Sequence, residues 1–162
     1  MKNIKAITPW IFNQPIAPSL ASQKEHKSLI YQDVLKWCNE KKSKDILTIF
    51  EGAGGVFVPI EKKKTMLNLI IDTNSSVVLV VGNYLGSISH TLSVINNLEF
   101  LGINIINVIV NQNKDTEIDI KDTINLLKSS LDRKIKLRKI LNNNSKNKIF
   151  KDIVDDILIA IE

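Results

Sequence analysis

The sequence predicts an α/β fold, layered around a mostly parallel sheet, and three observations lead there. Ile46 to Phe50, Val77 to Val81 and Ile105 to Val110 are short, continuous apolar runs rich in β-branched residues, as strands buried on both faces are. Other stretches carry apolar residues at helical spacing. The two kinds of segment alternate, which is the pattern that lays helices over a parallel sheet.

The chain has 162 residues and is 44% hydrophobic, enough for a substantial core in one domain, so residues 1–162 read as a single domain. Pro9 to Pro18 is too irregular for helix or strand and reads as an ordered loop leading into the first helix. That helix shows Ile30, Val34, Trp37 and Cys38 on one face. Cys38 is the single cysteine, so it has no internal disulfide partner and reads as a reduced core residue. Ile88, Leu92, Ile95 and Leu98 share a face between the second and third strands. Ile124, Leu127 and Leu131 form a later amphipathic stretch, and Phe150, Ile153, Ile157 and Ile161 the last. Asn111 to Thr116 reads as a loop and Asn142 to Asn147 as a polar linker; no internal repeat is found.

A formal charge of +5 raises the question of nucleic acid, but the lysines fall in short groups at 62–64, 134–139 and 146–151. Aromatic residues make up 6% of the chain and do not interleave with those groups, so the basic groups read as solvated surface. No window approaches the ~18 apolar residues of a membrane span, and Met1 to Trp10 has no h-region, so a soluble cytoplasmic protein is expected, with neither nucleic acid nor membrane as partner. No Cys/His set has metal-ligand spacing and no Ser/His/Asp arrangement stands out, which disfavours zinc chemistry and serine hydrolysis.

Three passages carry candidate chemistry. In the first, Glu51 closes the first expected strand and Gly52-Ala53-Gly54-Gly55 follow. An acid at a strand's C-terminal end lies where open α/β sheets bind ligands and suits a hydrated Mg²⁺, while the glycines let backbone amides approach an anion. A glycine run alone marks a tight turn; the acid before it turns the reading toward a metal and anion corner. In the second, the strand ending at Gly82 is followed by Asn83-Tyr84-Leu85-Gly86-Ser87-Ile88-Ser89-His90. Ser87 is placed to cap a helix, either as an ordinary N-cap or as part of an anion seat at the helix N-terminus, and His90 reads as a structural hydrogen-bonding residue. In the third, Asn111 ends the last clear strand with an amide that matches the edge of adenine or simply turns the chain.

Taken in order, Glu51-Gly-Ala-Gly-Gly55 with Val58-Pro59, then Val-Val-Gly82 with Leu85-Gly-Ser-Ile-Ser-His90-Thr91, then Val110-Asn111, resemble the successive motifs of dethiobiotin synthetases. Thr8-Pro9-Trp-Ile-Phe12 with Pro15-Ile-Ala-Pro18 is similar to the segment preceding them, and the resemblance is good from Thr8 to Asn113. It implies a partial P-loop NTPase-like layered fold and an ATP-dependent cyclo-ligase of biotin biosynthesis. That enzyme forms the ureido ring of dethiobiotin from 7,8-diaminopelargonate and CO2, by way of a phosphorylated carbamate. By resemblance Glu51 is a Mg²⁺ ligand in the nucleotide site, and Gly52, Ala53, Gly54 and Gly55 line the diamine and phosphate. Leu85, Gly86, Ser87, Ile88 and Ser89 hold the substrate carboxylate across a homodimer interface, and Asn111 contacts the adenine of ATP.

The chain departs from that family in containing no G-x-x-x-x-G-K-[ST] loop, and in lacking the lysine and metal-sharing aspartate that accompany it. Lys134-Ile-Lys-Leu-Arg138 also stands where the family has a Gly-x-(Ile/Leu)-Pro stretch. No catalytic residue is therefore assigned. The expectation is a truncated, split or mis-started form, inactive alone, whose phosphate loop comes from a longer start or from a separate chain. The alternative is a non-catalytic remnant acting as a dimerising or substrate-binding module. A related amidotransferase or acetyltransferase-associated domain fits less well, since no glutaminase-like Cys/His pair is present.

Overall fold

The computed structural model describes residues 4–113, 116–131, 135–141 and 146–161, in two compact units that meet in sequence at Asn74 and Ser75. The Asn142 to Asn147 linker falls largely outside the described residues, which resume at 146 as the start of a helix.

The N-terminal unit runs α1 (Ile4–Ile7), α2 (Pro18–Lys24), α3 (Tyr31–Lys41), β1 (Pro59–Glu61), β2 (Lys64–Thr65) and α4 (Met66–Asp72). Pro9 to Ala17 is a loop, as expected, but α1 precedes it and it leads into α2, two short helices the periodicity did not reveal. Pro18 opens α2, where a missing N–H costs no hydrogen bond. Glu25 orders the loop by accepting from Asn13 N at 2.6 Å, Gln14 N at 3.2 Å and Lys27 Nζ at 2.7 Å. Lys27 also donates to the Ile11 carbonyl at 2.8 Å. The Lys27 bond and then these backbone donors hold the Glu25 carboxyl below its usual range.

On α3 the expected face is buried at Val34 and Cys38, joined by Tyr31, while Ile30 precedes the helix and is exposed. Burial pushes the free Cys38 thiol up. Tyr31, Val34 and Cys38 pack with Ile60 and Leu69, and Trp10, Trp37, Phe50 and Met66 close around them. Trp37 meets Trp10 edge-on at 6.0 Å and Phe50 at 6.2 Å between centroids. The Tyr31 hydroxyl donates to Asp72 at 2.7 Å, and its backbone N–H to Glu61 at 2.7 Å. Burial and then the Asp72 carboxylate push the Tyr31 phenol up.

The expected strand Ile46 to Phe50 is not one. Among the described residues no strand pairs with it, and Ile46 and Ile49 are 69% and 72% exposed. Apolar, β-branched composition favours extended backbone, but a strand exists only where a neighbour completes the ladder. Its anchors are the Thr48 hydroxyl, donating to the Lys41 carbonyl at 3.0 Å, and Phe50 in the core.

The C-terminal unit carries β3 (Val77–Asn83), α5 (Ser87–Phe100), β4 (Ile105–Gln112), α6 (Ile120–Ser130), β5 (Leu137–Ile140) and α7 (Lys146–Ile161). The strands form a parallel sheet in the order β3-β4-β5, with Gly82 opposite Asn111 and Asn111 opposite Ile140. Two of the three expected strands are thus present, each extended by two residues. The third member of the sheet, β5, comes from the Lys134 to Arg138 region that the periodicity left unassigned, though Lys134 itself lies outside the described residues.

Helices flank both faces. Val81, Val110 and Leu137 pack against Ile88 and Leu92 of α5 and Ile120, Ile124 and Leu127 of α6. On the other face Val78, Ile106, Ile109 and Ile140 pack against Ile149, Ile153 and Ile157 of α7. Phe150 points away from this contact and is 49% exposed. Asp156 is a buried polar residue of α7, accepting from Lys136 Nζ at 2.6 Å and from Arg138 Nη2 at 2.7 Å. Burial raises its carboxyl, but these two cations outweigh that and bring it to about 2. No described helix is long and apolar enough to cross a membrane.

Candidate nucleotide and substrate site

Glu51 and the glycines after it lie in a loop of the N-terminal unit, not at a strand end, because the segment before them has no ladder partner. Both sides of Glu51 are nevertheless anchored. Phe50 sits in the core, and a Cβ placed on Gly52 would lie 2.4 Å from Met66 Cε, so Met66 fills the space above it. Gly54 adopts φ +91°, with Val58 Cγ2 2.8 Å from where a Cβ would be. The loop then docks on the start of α4: Leu67 N donates to Val56 O at 2.8 Å and Met66 N to Val58 O at 3.1 Å. Glu51 itself is exposed, so the fold presents its carboxylate between two fixed flanks.

In the C-terminal unit Gly86, at φ 93°, is the N-cap of α5, and Ser87 is the first helical residue rather than the cap. The left-handed turn that places the chain for α5 suits glycine, which displaces the expected serine by one position. Ser87 is buried; its N–H donates to Tyr84 O at 3.0 Å and its carbonyl accepts from the Thr91 hydroxyl at 2.7 Å. Leu85, at the tip, is 91% exposed, and the first-turn amides of Ile88 and Ser89 belong to the helix N-terminus. His90 Nδ1 lies 3.1 Å from the Tyr84 hydroxyl, the structural hydrogen bond expected of it.

Asn111 is exposed but still within β4, because β5 gives it a partner in Ile140; the loop expected from Asn111 begins at Asn113 instead. Gly82, Asn83, Asn111 and Gln112 share the C-terminal end of the parallel pair, so the sheet brings the second and third passages together. The Glu51 loop belongs to the other unit.

Sequence reasoning overlooked Asn83. It is fully buried, donates to the Ile118 carbonyl at 2.7 Å and accepts from the Thr123 hydroxyl at 2.5 Å, tying the end of β3 to the start of α6. The signal was present: Asn83 continues the inward phase of Val77, Leu79 and Val81, and a polar residue in that phase needs built partners.

A family model described as an AAA domain matches residues 1–153, and the chain belongs to this family. It is similar to proteins named ATP-dependent dethiobiotin synthetase BioD. The relative from Methylobacterium nodulans is 33% identical over 114 residues, covering 68% of this chain and 51% of the relative. That from Legionella pneumophila (strain Paris) is 33% identical over 130 residues, 80% of this chain and 61% of the relative. That from Clostridium acetobutylicum is 32% identical over 151 residues, covering 90% of this chain and 62% of the relative. The last match extends well beyond Thr8 to Asn113, so the likeness includes the C-terminal part that its motifs left poorly covered. The chain spans about half to three-fifths of the length of these curated relatives.

Proposed function

We propose that this chain serves the ATP-dependent closure of the ureido ring of dethiobiotin from 7,8-diaminopelargonate and CO2, as one domain of a cytoplasmic ligase. The observation that carries this is the order of Glu51 to Gly55, Leu85 to Ser89 and Asn111 in a chain that matches dethiobiotin synthetases over 68% to 90% of its length.

In this reading one amine of the substrate takes up CO2 as a carbamate. The carbamate oxygen accepts the terminal phosphoryl group of ATP with release of ADP, and the second amine attacks the activated carbon and expels phosphate. The protein's part is orientation and charge neutralisation. Amides of Gly52 to Gly55 face the phosphorylated carbamate, with open space beside Gly55 where a Cβ is lacking. First-turn amides of α5, behind Leu85 to Ser89, hold the substrate's carboxylate, with the exposed Leu85 meeting a second protomer of a homodimer. Asn111 offers a donor and an acceptor to adenine.

Glu51 would hold Mg²⁺, which neutralises phosphate charge when bound. The donor set fits, since Mg²⁺ uses one or two carboxylates and fills its octahedron with water and phosphate oxygens. A single exposed carboxylate is such a donor, and among the described residues no cluster of three or more acidic, histidine or cysteine side chains stands as an all-protein cage.

The 162 residues contain no G-x-x-x-x-G-K-[ST] sequence, so turnover is expected to require one in addition. The test is dethiobiotin formation from diaminopelargonate, bicarbonate and MgATP, by the chain alone and with the phosphate-loop segment of a relative fused ahead of it. Turnover only in the fusion supports the proposal. Turnover by the chain alone at the fusion's rate overturns the dependence on that segment, and no turnover in either overturns the reading.

A further inference from the structure

Strand alternation puts Val78, Val80 and Gly82 of β3 on one face of the sheet, beside Asn107, Ile109 and Asn111 of β4. This is the face that α7 packs on, through Val78 and Ile109. Its cover stops short of the C-terminal edge, where Val80 is 63% exposed and Asn111 is exposed. Two residues beyond Gly82 and Asn111, Tyr84 and Asn113 return to the same face. A Cβ placed on Gly82 would meet Asn113 Oδ1 at 3.0 Å and Tyr84 Cδ1 and Cε1 at 3.0 and 3.1 Å. The tyrosine ring and the Asn113 amide therefore converge above Gly82, whose ladder partner is Asn111.

The ring is fixed at two points and open elsewhere. Gly82 lies beneath it, the hydroxyl is engaged with His90 Nδ1 at 3.1 Å, and the residue is still 41% exposed. With its hydroxyl engaged by His90, Tyr84 offers ring surface beside the Asn113 amide. An apolar floor at Val80, an aromatic wall and two amides suit a flat heteroaromatic ring with polar edges. They suit a carboxylate poorly, since Val80, Tyr84, Asn111 and Asn113 carry no positive charge.

We propose that Tyr84, seated on Gly82 and held by His90, is the wall against which a purine base stacks at the Asn111 end of the sheet, with Asn113 adding a second amide to its edge. The proposal rests on the reading of Asn111 as an adenine contact. Gly82 is then required, because any side chain there displaces the wall.

The experiment is a titration of the isotope-labelled 162-residue chain with adenosine, followed through backbone amide signals. Adenosine should shift Gly82, Tyr84 and Asn111 to Asn113. Removing one base-stacking aromatic costs about tenfold in affinity, so Tyr84→Ala should raise the adenosine Kd by roughly that factor, and Tyr84→Phe by less than about threefold. Signals of Asn83 and Thr123, on the opposite face, report whether each variant is folded, and Tyr84→Leu replaces Tyr84→Ala if the latter is not. Equal adenosine affinity in Tyr84→Ala or Tyr84→Leu and wild type, with Asn111 still shifting, overturns the aromatic wall and leaves the Asn111 reading intact. No shift at this strand end in the wild type overturns both.

Discussion

Two glycines two positions apart in the loop after Glu51 should respond differently to the same change. At Gly54 an added methyl meets Val58, whose branched side chain has little freedom to retreat, and the backbone is held at φ +91°. Gly54→Ala is expected to destabilise by about 2 kcal/mol, combining left-handed strain with the clash. At Gly52 the obstacle is the terminal methyl of Met66, a flexible chain that can swing aside. Gly52→Ala should therefore cost about 1 kcal/mol or less, and the order of the two urea midpoints checks the comparison. Asn83 is the other residue whose loss should be felt. Asn83→Ala removes the partner of the part-buried Ile118 carbonyl and of the buried Thr123 hydroxyl, at about 2 kcal/mol in the same measurement. Glu51 was legible as a lone acid before glycines because that is a matter of neighbours in sequence. The shift of the helix cap from Ser87 to Gly86 was not, because it depends on a backbone angle.

Among the elements, α7 is held by a charged contact as well as by its apolar stripe. Its Asp156 carboxyl lies near 2 in the folded chain against an ordinary value of 3.8, so folding favours the ionised form. The stabilisation is complete above about pH 4, where the unfolded chain is also ionised, and is lost as pH falls from there through about 2. Asp156→Asn should flatten that part of the stability profile, read from denaturation midpoints between pH 5 and 2. At neutral pH it should cost about 2 kcal/mol, less than a fully buried pair because Lys136 and Arg138 retain contact with water. Helical spacing announced α3, α5, α6 and α7, since a buried stripe repeats within the element itself. β5 escaped notice because Leu137-Arg-Lys-Ile140 mixes apolar and basic residues, and its identity as a strand comes from β4 beside it. Ile46 to Phe50 failed in the opposite sense, with strand composition and no neighbour.

Across the whole molecule, protection from solvent exchange should follow pairing rather than hydrophobicity. β4 is bonded on both sides and Val108 and Val110 are fully buried, so their amides should exchange most slowly. Residues 46–50 are as apolar but belong to no ladder, and their amides should exchange at least about a hundredfold faster by mass spectrometry or NMR. Slow exchange there would mean that a strand partner had been found. The α/β class could be read from the alternation of runs, and the second and third candidate passages from their places at strand ends. Their meeting at one sheet edge needed the register of β3 on β4.

The edge-on contact of Trp10 with Trp37 has an optical consequence. These are the only two tryptophans, and both lie in the N-terminal unit, while the C-terminal unit has Tyr84 as its sole strong ultraviolet chromophore. Emission excited at the red edge of protein absorption therefore monitors the half that carries Glu51 and is blind to the other. Comparing it with far-ultraviolet dichroism during denaturation would reveal whether the halves melt as one cooperative body or in succession, with no label attached.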